Sequence, residues 1–186
     1  MRGSKADIWD GGHRVPFVVR WPGHVKAAST SDELICLTDL FSTLSDITET
    51  VLPDGSAEDS VSFLPALSGR PMVSTRAGVI HHSISGHFSI RQGDWKLCLS
   101  AGSGGWSAPK ENEAKKQGLT PIQLFNLNQD KNEKTNLQAK NKAKVKELIE
   151  VLDKEVRNGR SSSGKKVPND REVSYLPKGF TIPKSN

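Results

Sequence analysis

The ten residues F-S-I-R-Q-G-D-W-K-L, numbers 88–97, decide how the second half of this chain is built. Phe88, Ile90, Trp95 and Leu97 are of the aromatic and aliphatic types that strands favour, and Gln92-Gly93-Asp94 between them is a turn signal. Ile90 and Arg91 on one side, with Trp95 and Lys96 on the other, predict a β-hairpin. Upstream, residues 77–82 make another extended run, and residues 86–91 lead into the hairpin. Downstream, a stretch rich in Gly, Ser and Lys (100–120) reads as an insertion, and residues 122–127 are a fourth candidate strand. Four short strands in succession predict a small antiparallel sheet with one face covered.

Residues 142–157 supply the cover. Val145, Leu148, Ile149, Leu152 and Val156 recur at helical spacing, while Lys146, Glu147, Glu150 and Lys154 occupy the other face. Asn141 stands where an N-cap belongs and Gly159 where a C-terminal glycine belongs. Beyond it, residues 160–186 are polar and basic with three prolines, and read as an arm or as disorder.

Ahead of the sheet, residues 1–14 read as a loop, and V-P-F-V-V-R-W (15–21) reads as a buried strand ended by Pro22-Gly23. Leu40, Phe41, Leu44 and Ile47 predict a helix over 38–47, capped by Thr38 or Asp39. Residues 50–60 are turn-forming and acidic, and residues 62–69 look like a helical turn closed by Gly69. The expected class is α/β, passing to α+β in the C-terminal part. The expected division is 1–75, then a sheet-and-helix subdomain over 76–159, then the basic tail 160–186.

Bulk composition narrows the function classes. With 34% hydrophobic residues in 186, a core is within reach but not a large one. No run of eighteen apolar residues occurs, which argues against a membrane span, and the polar N-terminus lacks the pattern of a secretory signal. Residues 1–130 hold 12 Lys+Arg against 14 Asp+Glu, whereas residues 131–186 hold 14 against 7. The basic character thus belongs to the tail region, where it suits either a solvated helix face or an anionic polymer. No aromatic residues interleave with the lysines, which argues against a nucleic-acid partner. Cys36 and Cys98 lie in apolar stretches without a CxxC partner, so two buried thiols are expected, with a disulfide left open.

The N-terminal stretch carries the most specific pattern. Arg2-Gly3-Ser4-Lys5 is followed by Trp9-Asp10-Gly11-Gly12-His13-Arg14-Val15-Pro16 and Trp21-Pro22-Gly23. A lysine on a glycine-flanked loop can bring three donors and a compact charge to an anion, or can simply be an exposed lysine. Two consecutive glycines allow a sharp turn, including positive φ.

This run resembles the sulfatase segment R-G-x-K-x-x-x-x-E-G-G-x-R-V-P-x-x-x-x-W-P-G. Four more motifs resemble the same family in order: T-D-L-F-S-T-L its D-L-x-P-T-L helix, and S-F-L-P-A-L-S-G its S-L-x-P-L-L-x-G. F-S-I-R-Q-G-D-W-K-L is similar to its A-I-R-x-G-x-W-K-L hairpin, and Q-L-F-N-L-N-Q-D-K-N-E-K-T-N-L to E-L-Y-D-L-x-x-D-P-x-E-x-x-N-L. The resemblance covers residues 1 to about 157.

The resemblance implies hydrolysis of aryl or carbohydrate sulfate esters by the complete enzyme. It implies that Lys5 contacts the substrate sulfate, and that Arg14, after Gly11 and Gly12, ties loop to strand. Asp10 stands where the family carries Glu, keeping the charge with a shorter reach. His82, and less so His81, lie where the family approaches the pocket rim and are candidate substrate contacts, against the simpler reading of each as a surface or packed histidine.

Sulfatases of this type also use calcium and a formylglycine made from the Cys or Ser of C/S-x-P-x-R. Cys36 precedes L-T-D-L and Cys98 precedes L-S-A-G, so neither fits, and no histidine spacing or acidic cluster makes a metal site. The expectation is a C-terminal portion with no cofactor of its own and no turnover alone. The alternative is a non-catalytic module binding sulfated polysaccharide, or a truncated product with no partner. Full-length relatives are commonly periplasmic or secreted, but nothing here directs export.

Overall fold

The computed structural model describes residues 1–72 and 76–182. Its strands are β1 (Val79–His82), β2 (Phe88–Gln92), β3 (Trp95–Cys98) and β4 (Gln123–Asn126). The helices are α1 (Asp39–Ile47), α2 (Leu64–Leu67), α3 (Glu111–Lys116) and α4 (Lys142–Asn158), with a 3-10 turn at Asp10–Gly12. None of the helices among the described residues is long and apolar enough to cross a membrane. The chain divides into two compact units. One comprises Met1–Val15, Ile80–Asp153 and Glu172–Asn186; the other comprises Pro16–Val79 and Lys154–Arg171.

The first unit is built on a four-stranded sheet in the order β1-β2-β3-β4. The hairpin pairs Ile90 with Leu97, Arg91 with Lys96 and Gln92 with Trp95, which leaves Gly93 and Asp94 as its two-residue turn. Gly93 has φ 55°, a conformation glycine adopts without a Cβ clash. β3 and β4 are also antiparallel, with Leu97 opposite Leu124 and Lys96 opposite Phe125.

Strand alternation then sorts side chains by face. Ile90, Leu97 and Leu124 share one face, and all three are fully buried, as are Val145, Leu148, Ile149 and Leu152 of the α4 stripe. Each such side chain contributes roughly 1.5–3 kcal/mol by leaving water, which dominates the stability of a small sheet. The opposite face carries Lys96, Cys98 and Phe125. There the N-terminal loop delivers Ile8 and Trp9, which join Cys98, Phe125 and Leu127 in one cluster.

Within 100–120, read as an insertion, lies the helix α3. Its order E-N-E-A-K-K puts acids in the first turn and lysines in the last, matching the helix dipole. The Lys110 amide donates to Glu113 Oε2 at 2.8 Å, and the Gly102 amide to Glu111 Oε1 at 2.8 Å. At the start of α4, the Asn141 side-chain amide donates back to Leu137 O at 3.0 Å rather than capping forward. Gly159, at φ 64°, ends the helix where a C-terminal glycine was expected.

In the second unit, α1 and α2 lie where the helical spacing predicts. Residues 15–21 do not form the expected strand; they run without regular structure, with Phe17 and Val18 exposed. β-branched and aromatic composition marks a segment able to pair, but a strand exists only against a partner, and the described residues bring none to it. Residues 160–171 are hydrogen-bonded rather than free: Ser161 and Ser162 donate their amides to Glu58 O, and Val167 donates to Asn158 O at 2.9 Å. Both cysteines are free, Cys98 buried and Cys36 only half-buried, which corrects the expectation of two buried thiols.

Candidate functional site

The 1–14 loop is held from beneath by two carboxylates. Asp7, fully buried, accepts the Ser4 amide at 2.8 Å on one oxygen and the Trp106 and Ser107 amides at 2.9 and 3.1 Å on the other. The Ser107 hydroxyl adds a fourth hydrogen bond at 2.5 Å. Burial pushes the Asp7 carboxyl up, but the donors from Ser107, Ser4 and Trp106 outweigh it and hold its pKa below the ordinary value.

The Asp7 amide donates to Ser4 O at 3.0 Å, so Lys5 and Ala6 are the two central residues of a tight turn. Ala6 sits at φ 84°, the left-handed region that favours glycine, and Ile84 just beyond β1 donates its amide to Ala6 O at 3.0 Å. Lys5 is exposed at the tip of this turn, and its ammonium makes no ion pair or hydrogen bond among the described residues. The rigid element is the backbone beneath Lys5, not the side chain itself.

The second carboxylate is Asp10, nearly buried in the 3-10 turn. Lys96, with no exposure at all, places Nζ 2.8 Å from Asp10 Oδ1 and 2.9 Å from Glu133 Oε1. The Asp10 amide donates to Glu133 Oε2 at 2.7 Å, closing the group. Arg91 and Arg14 stand farther off, each 4.0 Å from Asp10 Oδ2. Burial pushes Asp10 up and the charges of Lys96 and Arg91 bring it net below its ordinary value. Glu133 stays raised by burial, and Lys96 is held above its ordinary value because the neighbouring Cys98 sulfur, Glu133 and Asp10 together outweigh desolvation. The cation Lys96 and the anion Asp10 are thus fixed in their charged forms.

Arg2 extends the arrangement, donating to Glu133 O at 2.9 Å with its guanidinium 3.6 Å above the Trp9 ring. Trp9 in turn donates to Gln123 Oε1 at 3.1 Å. Gly11 and Gly12 do not take the positive φ that the sequence allows. A Cβ on Gly11 would stand 2.3 Å from Gly3 O, and one on Gly12 would stand 2.3 Å from Asp7 O. The double glycine permits close backbone approach rather than an unusual turn. Arg14 is half exposed and ends the turn by donating its amide to Asp10 O at 2.7 Å, with no strand beyond it.

Alternation along β1 sends the two histidines to opposite sides. His81 turns inward, with Nε2 3.3 Å from Ile8 O and its ring 3.9 Å from that of His13. Burial first, then the charge of Lys96, pushes its pKa down to about 3, so it is neutral near pH 7. His82 turns outward, exposed, with Nδ1 3.0 Å from Ser83 O. The turn bearing Lys5 and the strand end bearing His82 are joined through the bond between Ile84 and Ala6, whereas His81 belongs to the packed interior of the loop.

Asp7, Lys96 and Glu133 were not singled out from the sequence. A legible signal existed for Lys96, a lone cation within W-K-L-C-L where every neighbour is apolar. Calcium and formylglycine, which the family resemblance implies for complete enzymes, do not fit the residues present. Among the described residues no group of three His, Cys, Asp or Glu is placed to hold a metal ion. Burial pushes the Cys98 thiol up to about 11, and Cys36 Sγ lies 3.0 Å from Thr38 Oγ1 and 3.3 Å from Arg76 Nη1.

No protein-family model matches the chain. It is similar to the N-acetylgalactosamine-6-O-sulfatase of Bacteroides thetaiotaomicron, 30% identical over 155 residues that cover 82% of this chain and 29% of the relative. Human arylsulfatase G is 37% identical over 83 residues, 45% of this chain and 15% of that protein. A solved structure from work on glycosaminoglycan metabolism by Bacteroides thetaiotaomicron superposes with a TM-score of 0.69 at 29% identity, over 82% of this chain and 31% of the other. The chain therefore spans about three tenths of the length of these relatives or less, and by sequence and fold it belongs with the sulfatases, as the C-terminal portion of one.

Proposed function

We propose that this chain supplies the C-terminal part of a sulfate-ester hydrolase acting on a sulfated carbohydrate or aryl sulfate. Lys5 is the cation that meets the sulfate group. The observation that carries this reading is the Ser4–Asp7 turn. It holds an exposed lysine, without a partner among the described residues, on a backbone anchored by buried Asp7 and by the Ile84 amide. A cation carried on a fixed backbone toward developing negative charge lowers a transfer barrier by offsetting that charge.

His82, exposed beside the same turn, contacts the group that carries the sulfate. His81 stands behind it as a neutral spacer, its ring packed on His13 and its Nε2 near Ile8 O. Asp10, Gly11, Gly12 and Arg14 hold the loop. The nucleophile and the metal site are supplied by the part of the enzyme that this chain does not match. The name of the Bacteroides thetaiotaomicron relative supports a sulfated amino sugar as the substrate class.

Two assays test the reading. The 186-residue chain alone should give no turnover of a chromogenic aryl sulfate; hydrolysis by the pure chain overturns the assignment of the nucleophile elsewhere. In a chimera carrying this chain in place of the matching portion of that relative, Lys5→Ala should lower kcat/KM on the order of 10²-fold. A loss below tenfold removes Lys5 from the sulfate site.

A further inference from the structure

Among the described residues Trp106 is the exposed tryptophan. It is 58% exposed, whereas Trp9 is buried and Trp21 and Trp95 are half-buried. A tryptophan left in water forgoes a large gain from burial, so its surroundings bear on why it stands there. The segment that carries it is not a free loop. Ala101 and Ser103 are buried, and Glu111 accepts the Gly102 amide at 2.8 Å. The Ser103 amide donates to Pro109 O at 2.9 Å, and the Ile8 amide donates to Ser103 O at 2.7 Å. The backbone is tied down ahead of the indole, so its exposure is a built feature of the first unit.

Asp7 joins that backbone to the turn bearing Lys5. One carboxylate oxygen accepts the Trp106 amide at 2.9 Å, and the other accepts the Ser4 amide at 2.8 Å. The Ser4 and Ser107 hydroxyls lie 3.3 Å apart, so Lys5 and Trp106 each adjoin one member of a touching pair. Gly105 packs so closely on the turn that a Cβ there would stand 2.4 Å from Ala6 O. The same Ala6 carbonyl accepts the amide of Ile84, which is 61% exposed. An exposed aromatic residue and an exposed aliphatic one are thus fastened to the backbone that carries an exposed cation.

We propose that Trp106, assisted by Ile84, is the platform on which the ring of a sulfated amino sugar lies while its sulfate meets Lys5. This rests on the sulfate-ester reading above and deepens it. A pyranose presents C–H groups on its faces and hydroxyls around its edge. Such a ring buries a face against an indole while its edge keeps polar partners. Ser4, Ser107 and the exposed His82 interleave with the apolar pair and suit that edge. A protein layer would want a continuous apolar patch, and the charge of Lys5 interrupts this one. Lys5 can attract any sulfate, whereas apolar area buried on Trp106 is gained by a sugar sulfate and not by inorganic sulfate. Trp106 is therefore a specificity-determining residue.

The test titrates the full 186-residue chain with three probes: N-acetylgalactosamine 6-sulfate, the sulfate-free sugar and inorganic sulfate. The readout is the indole N–H resonance of Trp106, assigned by its loss in Trp106→Leu. Both sugars should shift that resonance, the sulfated one more tightly, and inorganic sulfate should leave it in place. Trp106→Leu should weaken binding of the sulfated sugar about tenfold, whereas Trp106→Tyr, which keeps a flat ring, should hold it within about threefold. The pair separates loss of the aromatic face from loss of bulk or of folding. Lys5→Ala should bring the sulfated sugar down to the affinity of the sulfate-free one. An unmoved Trp106 resonance overturns the proposal, as does equal binding by the Leu and Tyr variants. If Trp106→Leu weakens binding and Lys5→Ala does not, the platform stands and the sulfate role of Lys5 fails. If Lys5→Ala weakens binding and Trp106→Leu does not, the platform fails and the reading of Lys5 stands.

Discussion

Lys96 Nζ lies 2.8 Å from Asp10 Oδ1, joining a lysine in the middle of β3 to a carboxylate eighty-six residues earlier. The lysine has no solvent exposure and a second carboxylate, Glu133, on its other side. Two buried carboxyl groups arranged around one buried cation tolerate the loss of that cation badly. Lys96→Ala should destabilise the chain by about 3–5 kcal/mol, with the loop bearing Lys5 loosening first. Urea denaturation measures the first effect and hydrogen exchange at residues 4–12 the second. A cost below 1 kcal/mol would mean the group is solvated.

Ala6 occupies a backbone conformation that suits glycine, at φ 84°. Ala6→Gly should therefore stabilise the protein by about 1 kcal/mol, read as a higher denaturation midpoint at unchanged slope. Gly11→Ala should do the opposite, because its Cβ would meet Gly3 O at 2.3 Å. Its cost should exceed about 2 kcal/mol, within the range of severe single substitutions.

Glu155 is buried, and that burial pushes its carboxyl up to about 7, opposed by the Ala77 and Gly78 amides. In the unfolded chain the same group titrates near its ordinary value of 4.5. A raised carboxyl contributes stability that is fully present below the unfolded pKa and lost as pH rises through the folded one. Stability should therefore fall between about pH 4.5 and 7, by on the order of 2–3 kcal/mol from this group. Glu155→Gln should flatten that fall and match the parent near pH 4, as denaturation at stepped pH would reveal.

Asp7, Asp10 and Asp39 run the other way, each held below its ordinary value. Their contribution is present above the unfolded value of 3.8 and lost as pH drops through their lowered folded values. Acid unfolding below pH 4 should accordingly become shallower in Asp39→Asn, with an overall loss of stability near pH 7.

The two thiols should separate cleanly in alkylation. Cys36 is half-buried, whereas Cys98 is fully buried with its thiol pushed up to about 11. At pH 8 a small alkylating reagent should label Cys36 in the native chain and Cys98 only after denaturation. Equal rates at both positions would contradict the packing of β3.

Much of the sheet unit was legible from local pattern. The Gly93-Asp94 turn, the alternation around it and the stripe from Val145 to Leu152 are short-range signals, and short-range chemistry suffices to make them. The helix α1 was legible as a helix for the same reason. Which of its faces turns inward was not, because Asp39 bonds to Arg76, thirty-seven residues away. The segment 15–21 reads as a strand by composition and does not form one, since pairing depends on a partner that composition cannot supply.

The sequence by itself determined the family, through five motifs in order, and with it the expectation that Lys5 is the residue to watch. It also determined the antiparallel sheet and its covering helix. Only the tertiary structure decided what holds Lys5 in place: Asp7 reaching residues 106 and 107, and Asp10 meeting Lys96 and Glu133. It also separated inward His81 from outward His82. Periodicity and turn preference act between neighbours along the chain, whereas a buried charge is stabilised by whichever opposite charge the fold brings beside it.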